Sequence, residues 1–131
     1  MASPSVEAIL DTSVLIATDL PPLDGELAIS SASLAELHFG VLVTPDGAVR
    51  AERLRRLSDF QRRFDALPVD DEVATSYGQL AAAVAAKGRQ PRSRVMDLLI
   101  AATAHAHSAR LYTRNAADLA GLEHLIEIAP V

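Results

Sequence analysis

The chain has 131 residues, half of them hydrophobic but only 4% aromatic, with 17 acids against 12 bases and a net charge of −5. That length holds one domain with a real core rather than two. With no cysteine, a disulfide framework and a thiolate metal site are excluded, and the acidity disfavours a general nucleic-acid coat.

The first strand is expected at 6–10 (VEAIL), with Asp11 directly after it and a helical stretch at 12–17. In an open parallel sheet, ligands bind beyond the carboxyl ends of the strands, which is where Asp11 falls. Asp is also a favoured N-cap, so capping of 12–17 is the plainer explanation. Pro21-Pro22 marks a loop before a second strand at 27–30 (LAIS) and a helix at 33–42. Ser33-Leu34-Ala35-Glu36 fits a capping box, in which Glu36 reaches back to the cap. Glu36 nevertheless falls on the same sheet edge as Asp11.

Pro45-Asp46-Gly47 precedes a helix at 49–65 whose Leu54, Leu57, Phe60 and Phe64 recur at helical spacing. Its other faces carry Arg50, Arg53, Arg55, Arg56, Arg62 and Arg63, whereas residues 1–49 contain seven acids and no Lys or Arg. Arg–acid pairs within the helix explain such a face, as does contact with RNA or a protein partner. A short strand at 67–69 and a helix at 71–87 follow, and Gly88 and Pro91 break the chain.

The helix at 94–107 is apolar nearly all round (VMDLLIAATA), so it should be buried, with Ser93 available as its cap. Asp97 is therefore hard to dismiss. A helix N-terminus favours an anion by only ~0.3–1 kcal/mol, and unpaired burial of a carboxylate costs several times more. A cation or a raised pKa has to account for it. The last elements are a strand at 110–113 (RLYT), a short helix at 116–121 with Asn115 as cap and Asp118 in its first turn, and a strand at 125–128. Strands alternating with helices predict a single α/β domain over 1–131, a parallel sheet of about five strands covered by helices.

Each acid has a capping explanation, but together they leave a coincidence. Asp11, Glu36 and Asp118 lie just past strand ends, and Asp97 joins them from a buried helix. Converging carboxylates repel unless metal or protons neutralise them, so at least one should have a raised pKa without metal. Hard oxygen ligands suit Mg²⁺ or Mn²⁺. The histidines do not compete: His105 and His107 are two apart on one helix and do not share a face, and His38 and His124 are isolated.

Four stretches, ILDTSVLIA (9–17), ISSASLAELHFGV (29–41), MDLLIAATA (96–104) and YTRNAADL (112–119), resemble in order and spacing the PIN-domain family, and within it the VapC-type toxins of bacterial toxin–antitoxin pairs. Each stretch is weak alone; the ordered set covers essentially the whole chain. The resemblance implies a Mg²⁺-dependent endoribonuclease of PIN-like fold, with Asp11, Glu36, Asp97 and Asp118 as catalytic metal ligands. It also implies a supporting Ser13, and an Asn115 acting near the metal through water. RNA of the tRNA or rRNA class, a VapB-type antitoxin and a homodimer complete the expectation. Asp11 lies later than in many relatives, and Leu119 stands where an aromatic often follows the last acid. Neither departure removes a presumed ligand.

The expected reaction is hydrolysis of an RNA phosphodiester by metal-activated water. Lys87, Arg89, Arg92 and Arg94, in the loop leading to Asp97, and Arg114 beside the last motif are the candidate RNA contacts. The alternatives are a PIN nuclease of RNA processing and a catalytically silent binding module. An aspartyl phosphatase would want a second acid two residues after Asp11, where Ser13 stands, and no G-x-G-x-x-G supports a dinucleotide enzyme. No apolar run approaches the ~18 residues of a membrane span, and the first ten residues lack the basic start of a signal peptide. The expected location is cytoplasmic, without membrane contact.

Overall fold

A computed structural model describes residues 6–131. The elements in chain order are β1 (Ala8–Leu10), α1 (Thr12–Leu15), β2 (Leu27–Ser30), α2 (Ser31–Leu42), α3 (Gly47–Arg63), β3 (Ala66–Leu67), α4 (Asp71–Ala86), α5 (Val95–Ala106), β4 (Arg110–Thr113) and β5 (Ile128–Pro130). Two single 3₁₀ turns, Pro91–Arg94 and Ala116–Leu119, precede α5 and follow β4. The sheet runs β3-β2-β1-β4-β5 with every pair parallel.

Period-2 alternation sorts β1 onto two cores. Ile9 joins Ala28 and Leu111 on the face covered by α4 and α5, with Val73, Leu80, Val84, Leu98 and Ile100. Ala8 and Leu10 join Ile29 and Tyr112 on the other face, with Val14 and Leu15 of α1 and the partly buried Phe60 and Phe64 at the end of α3. Strands buried on both faces read as continuous apolar runs, as β1 does. The order reverses between β1 and β4, and a crevice opens beyond their carboxyl ends.

Several boundaries differ from expectation. The last strand starts three residues later than the expected 125–128: Leu125 and Ile126 close a turn back on Leu122, and Ile128 is the residue that pairs with Leu111. Pro130 ends this edge strand, where a missing N–H costs least. β3 pairs with β2 through only two residues. On α3 the expected apolar stripe is incomplete, since Leu57 is buried but Leu54 is exposed. Arg55 pairs with Glu52 and Asp59, and Arg62 with Asp59, so two of the six arginines are paired with acids within the helix. His105 is satisfied by Ser76, 2.8 Å from its Nδ1.

Among the described residues no helix is long and apolar enough to cross a membrane.

Candidate active site

Asp11 leaves β1 with its backbone N–H donating to Tyr112 O (3.0 Å), so the parallel pairing with β4 aims it into the crevice. It is 8% exposed yet well supplied. Oδ1 accepts from the Thr12 backbone N–H at 2.8 Å. Oδ2 accepts from Ser13 Oγ at 2.9 Å and from Thr113 Oγ1 at 2.7 Å. Capping is thus real, since Asp11 is the N-cap of α1. Protein donors already offset its burial, so a cation is not required for that reason.

The same hydroxyls tie β1 to β4. Ser13 Oγ accepts from Arg114 N (3.0 Å), and Thr113 Oγ1 accepts from Asn115 N (2.9 Å). Thr113 is fully buried. Among the described residues no buried side-chain N or O lacks a partner.

Glu36 does not form the expected capping box. The box needs Ser33 as N-cap, but α2 already begins at Ser31. Ser30 is its N-cap, accepting from Ala32 N at 3.1 Å, and Ser33 is buried within the first turn. Glu36 Oε1 instead accepts from Thr12 Oγ1 at 2.8 Å, and Ser33 Oγ stands 3.0 Å from the same hydroxyl. A hydroxyl has one proton; the carboxylate takes it, and Ser33 donates to Thr12.

Asp97 lies in the first turn of α5. Ser93 does not cap that helix; its hydroxyl donates to Gln90 O, and Arg94 occupies the cap position. Nor does the Asn115 side chain cap the turn that holds Asp118. Asp11, Asp97, Asn115 and Asp118 line one small cleft together with Leu111 and Leu119. Glu36 lines a second, more apolar groove between α2 and α3, with Ile16, Leu37, Val41, Leu57 and Phe60.

Electrostatics joins the two clefts. Burial, then repulsion from Asp11 and Asp118, pushes the Asp97 carboxyl above its ordinary range, while Arg94 opposes the shift. Burial also pushes Glu36 up, against the Thr12 hydrogen bond, with Asp97 and Asp11 adding repulsion. The four carboxylates are therefore linked through mutual repulsion, as the sequence suggested. They are not closed on one point: among the described residues no three acidic or histidine side chains are gathered at metal-ligand spacing. Asp118 is paired with Arg94, whose Nη1 donates to Asp118 O (2.9 Å) and lies 3.3 Å from Oδ1. The donor set is all hard oxygen with mutual repulsion to relieve, which fits a Mg²⁺-class ion.

Of the basic residues, Arg114 is paired with Asp19 (3.0 Å), and Arg89 and Arg92 are exposed beyond α4. Sequence reasoning missed Thr12 as the donor to Glu36, and Thr113 altogether. The available signal was a threonine ending a buried strand, where an apolar residue packs more cheaply.

The PIN domain family profile matches residues 8–120. Ribonuclease VapC5 of Mycobacterium tuberculosis is 35% identical over 129 residues, 94% of this chain and 93% of the relative. Ribonuclease VapC8 of the same species is 36% identical over 100 residues, 73% of this chain and 88% of the relative. Among solved structures, VapBC-5 of M. tuberculosis, a member of the VapBC toxin–antitoxin family, superposes with a TM-score of 0.76 at 33% identity, covering 96% of this chain and 99% of that one. FitAcB of Neisseria gonorrhoeae gives 0.74 at 25% identity, covering 93% and 96%. The chain belongs to the PIN domain family. Within it, the chain stands with the VapC ribonucleases.

Proposed function

We propose that this chain is the toxin ribonuclease of a VapBC-type pair, a single PIN domain over 1–131 that hydrolyses phosphodiesters of tRNA- or rRNA-class RNA in the cytoplasm. The observation that carries the reading is the cleft beyond β1 and β4. Asp11, Asp97 and Asp118 line it from separate elements, and Asp97 there, like Glu36 in the adjoining groove, is pushed up by burial and repulsion. Asp11, Glu36, Asp97 and Asp118 would hold Mg²⁺, or Mn²⁺ in its place. That ion, when bound, supplies an activated water and stabilises charge developing on the phosphate.

The chain's own residues do the positioning. Thr113 and Ser13 fix Asp11 Oδ2, and Thr12 fixes Glu36. Asn115, anchored through its backbone to Thr113, reaches the cleft beside Asp118. Arg89, Arg92, Arg94 and Arg114 bring positive charge to the approach that RNA would take. A VapB-type antitoxin is the partner. The groove between α2 and α3, with Ile16, Phe39, Leu42 and Leu54 exposed on the surrounding elements, offers it an apolar seat next to Glu36. A homodimer is part of the same reading.

The test is cleavage of total cellular RNA by protein freed of copurified antitoxin, with Mg²⁺, with EDTA, and with Asp97→Asn. Discrete fragments that require both Mg²⁺ and Asp97 are expected, and their ends would name the target. Folded protein that binds Mg²⁺ without cleaving would favour a silent binding module; no metal binding would overturn the quartet.

A further inference from the structure

Arg94 is the cation that opposes the carboxylate repulsion on Asp97. It sits at the junction of the Pro91–Arg94 turn and α5, three residues before Asp97, and reaches across to the Ala116–Leu119 turn. One nitrogen, Nη1, serves both the Asp118 carbonyl (2.9 Å) and the Asp118 carboxylate (3.3 Å). The two contacts differ in kind. The carbonyl bond fastens the arginine to backbone, while the longer carboxylate contact is an ion pair with Asp118 half exposed. Such a pair is weak enough to exchange, whereas a guanidinium carries a permanent charge that only a change of partner can relieve.

We propose that Arg94 is a positioning residue that competes with the divalent ion for the Asp118 carboxylate. By pairing with Asp118 it occupies the carboxylate that an ion would need. When the ion takes Asp118, Arg94 stays fastened to the Asp118 carbonyl. Its remaining N–H donors, from a planar fork suited to phosphate, then face the RNA backbone. This rests on the metal-binding reading of the quartet.

The test is titration calorimetry with Mn²⁺ alone on wild type, Arg94→Gln, Asp118→Asn and the double variant, with melting curves to show each is folded. Arg94→Gln is expected to tighten Mn²⁺ binding by about 1.4- to fivefold, the range of an exposed ion pair removed, and to lower RNA cleavage. Loss of a merely structural contact would not tighten metal binding. In the Asp118→Asn background the Arg94→Gln gain should vanish, because nothing is left to compete for. Unchanged or weaker Mn²⁺ binding in Arg94→Gln overturns the competition, as does a gain that survives Asp118→Asn. If Arg94→Gln does not fold, Arg94→Met carries the test, removing the charge and the fork while keeping an unbranched stem: a cycle with Asp118→Asn that shows no coupling has the same meaning. Equal Mn²⁺ binding by wild type and Asp97→Asn would instead sink the quartet itself, so the two failures are distinguishable.

Discussion

At the end of β1, Asp11 is 8% exposed and takes three hydrogen bonds; past the end of β4, one strand away, the Asp118 side chain is 49% exposed and is held by one arginine. The first carboxylate is set by strand pairing and by hydroxyls whose positions the core dictates. The second rides on a single 3₁₀ turn with no side-chain cap. A site built this way has one side prepared before any ligand arrives and another free to adjust to it. In the proposed function, preparation would limit reorganisation during the reaction, and adjustment would let an ion and a bulky substrate enter.

The largest expected effects test whether both sides share one centre. Asp11→Asn and Asp97→Asn should each lower RNA cleavage by more than about a hundredfold, since even the outer partners of metal ligands are worth about 10–100-fold. Retention of wild-type cleavage by either variant would break the comparison, because no common centre would remain.

Next comes the support of the prepared side. Thr113→Val keeps the shape of a fully buried residue but removes the donor to Asp11 Oδ2 and the acceptor for Asn115 N. Cleavage should fall by about 10–100-fold, and stability by about 1–3 kcal/mol for the polar groups left unpaired. Denaturant unfolding reads the second quantity. Asp118→Asn, by contrast, should reduce cleavage with almost no change in stability, since its ion pair is exposed. If Asp118→Asn destabilised the fold as much as Thr113→Val, the adjustable side would not be adjustable.

How much of this was legible follows the same division. Asp11, Glu36 and Asp97 were readable because each acid interrupts an apolar pattern, and the sheet followed from strand–helix alternation. The partners were not. Pairing a threonine at 113 with an aspartate at 11 needs the β1–β4 register, which no local pattern contains. The capping assignments of Ser33, Ser93 and Asn115 failed for a related reason: Ser30, Gln90 and the short 116–119 turn offered the backbone other solutions that local residue types permit equally. The last strand moved because Leu125 and Ile126 are apolar enough for a strand, yet serve to close a turn.

The smallest effect is a pH dependence that separates the two kinds of acid. Asp97 and Glu36 are pushed up in the folded state, so the folded protein holds their protons more tightly than the unfolded chain does. Their contribution to stability is fully present below the unfolded carboxylate pKa, about 4. It is lost as pH rises through the raised folded values. Glu52 and Glu123 are pushed down, the first chiefly by Arg55 and the second by backbone N–H groups, and act in the opposite sense. A single melting curve therefore mixes the two signs. The difference between Asp97→Asn and wild type, both in EDTA, isolates one residue. Asp97→Asn should melt higher at neutral pH, by about 1–4 °C for a chain of this size, because an amide feels no repulsion from Asp11 and Asp118. The gain should shrink as pH falls toward 4, where wild-type Asp97 is protonated and bears no charge either. Saturating Mg²⁺ should reverse its sign, since the ion stabilises the wild-type site and not the variant. A gain that grows toward acid, or that Mg²⁺ leaves untouched, would mean that Asp97 is placed for the fold and not for an ion.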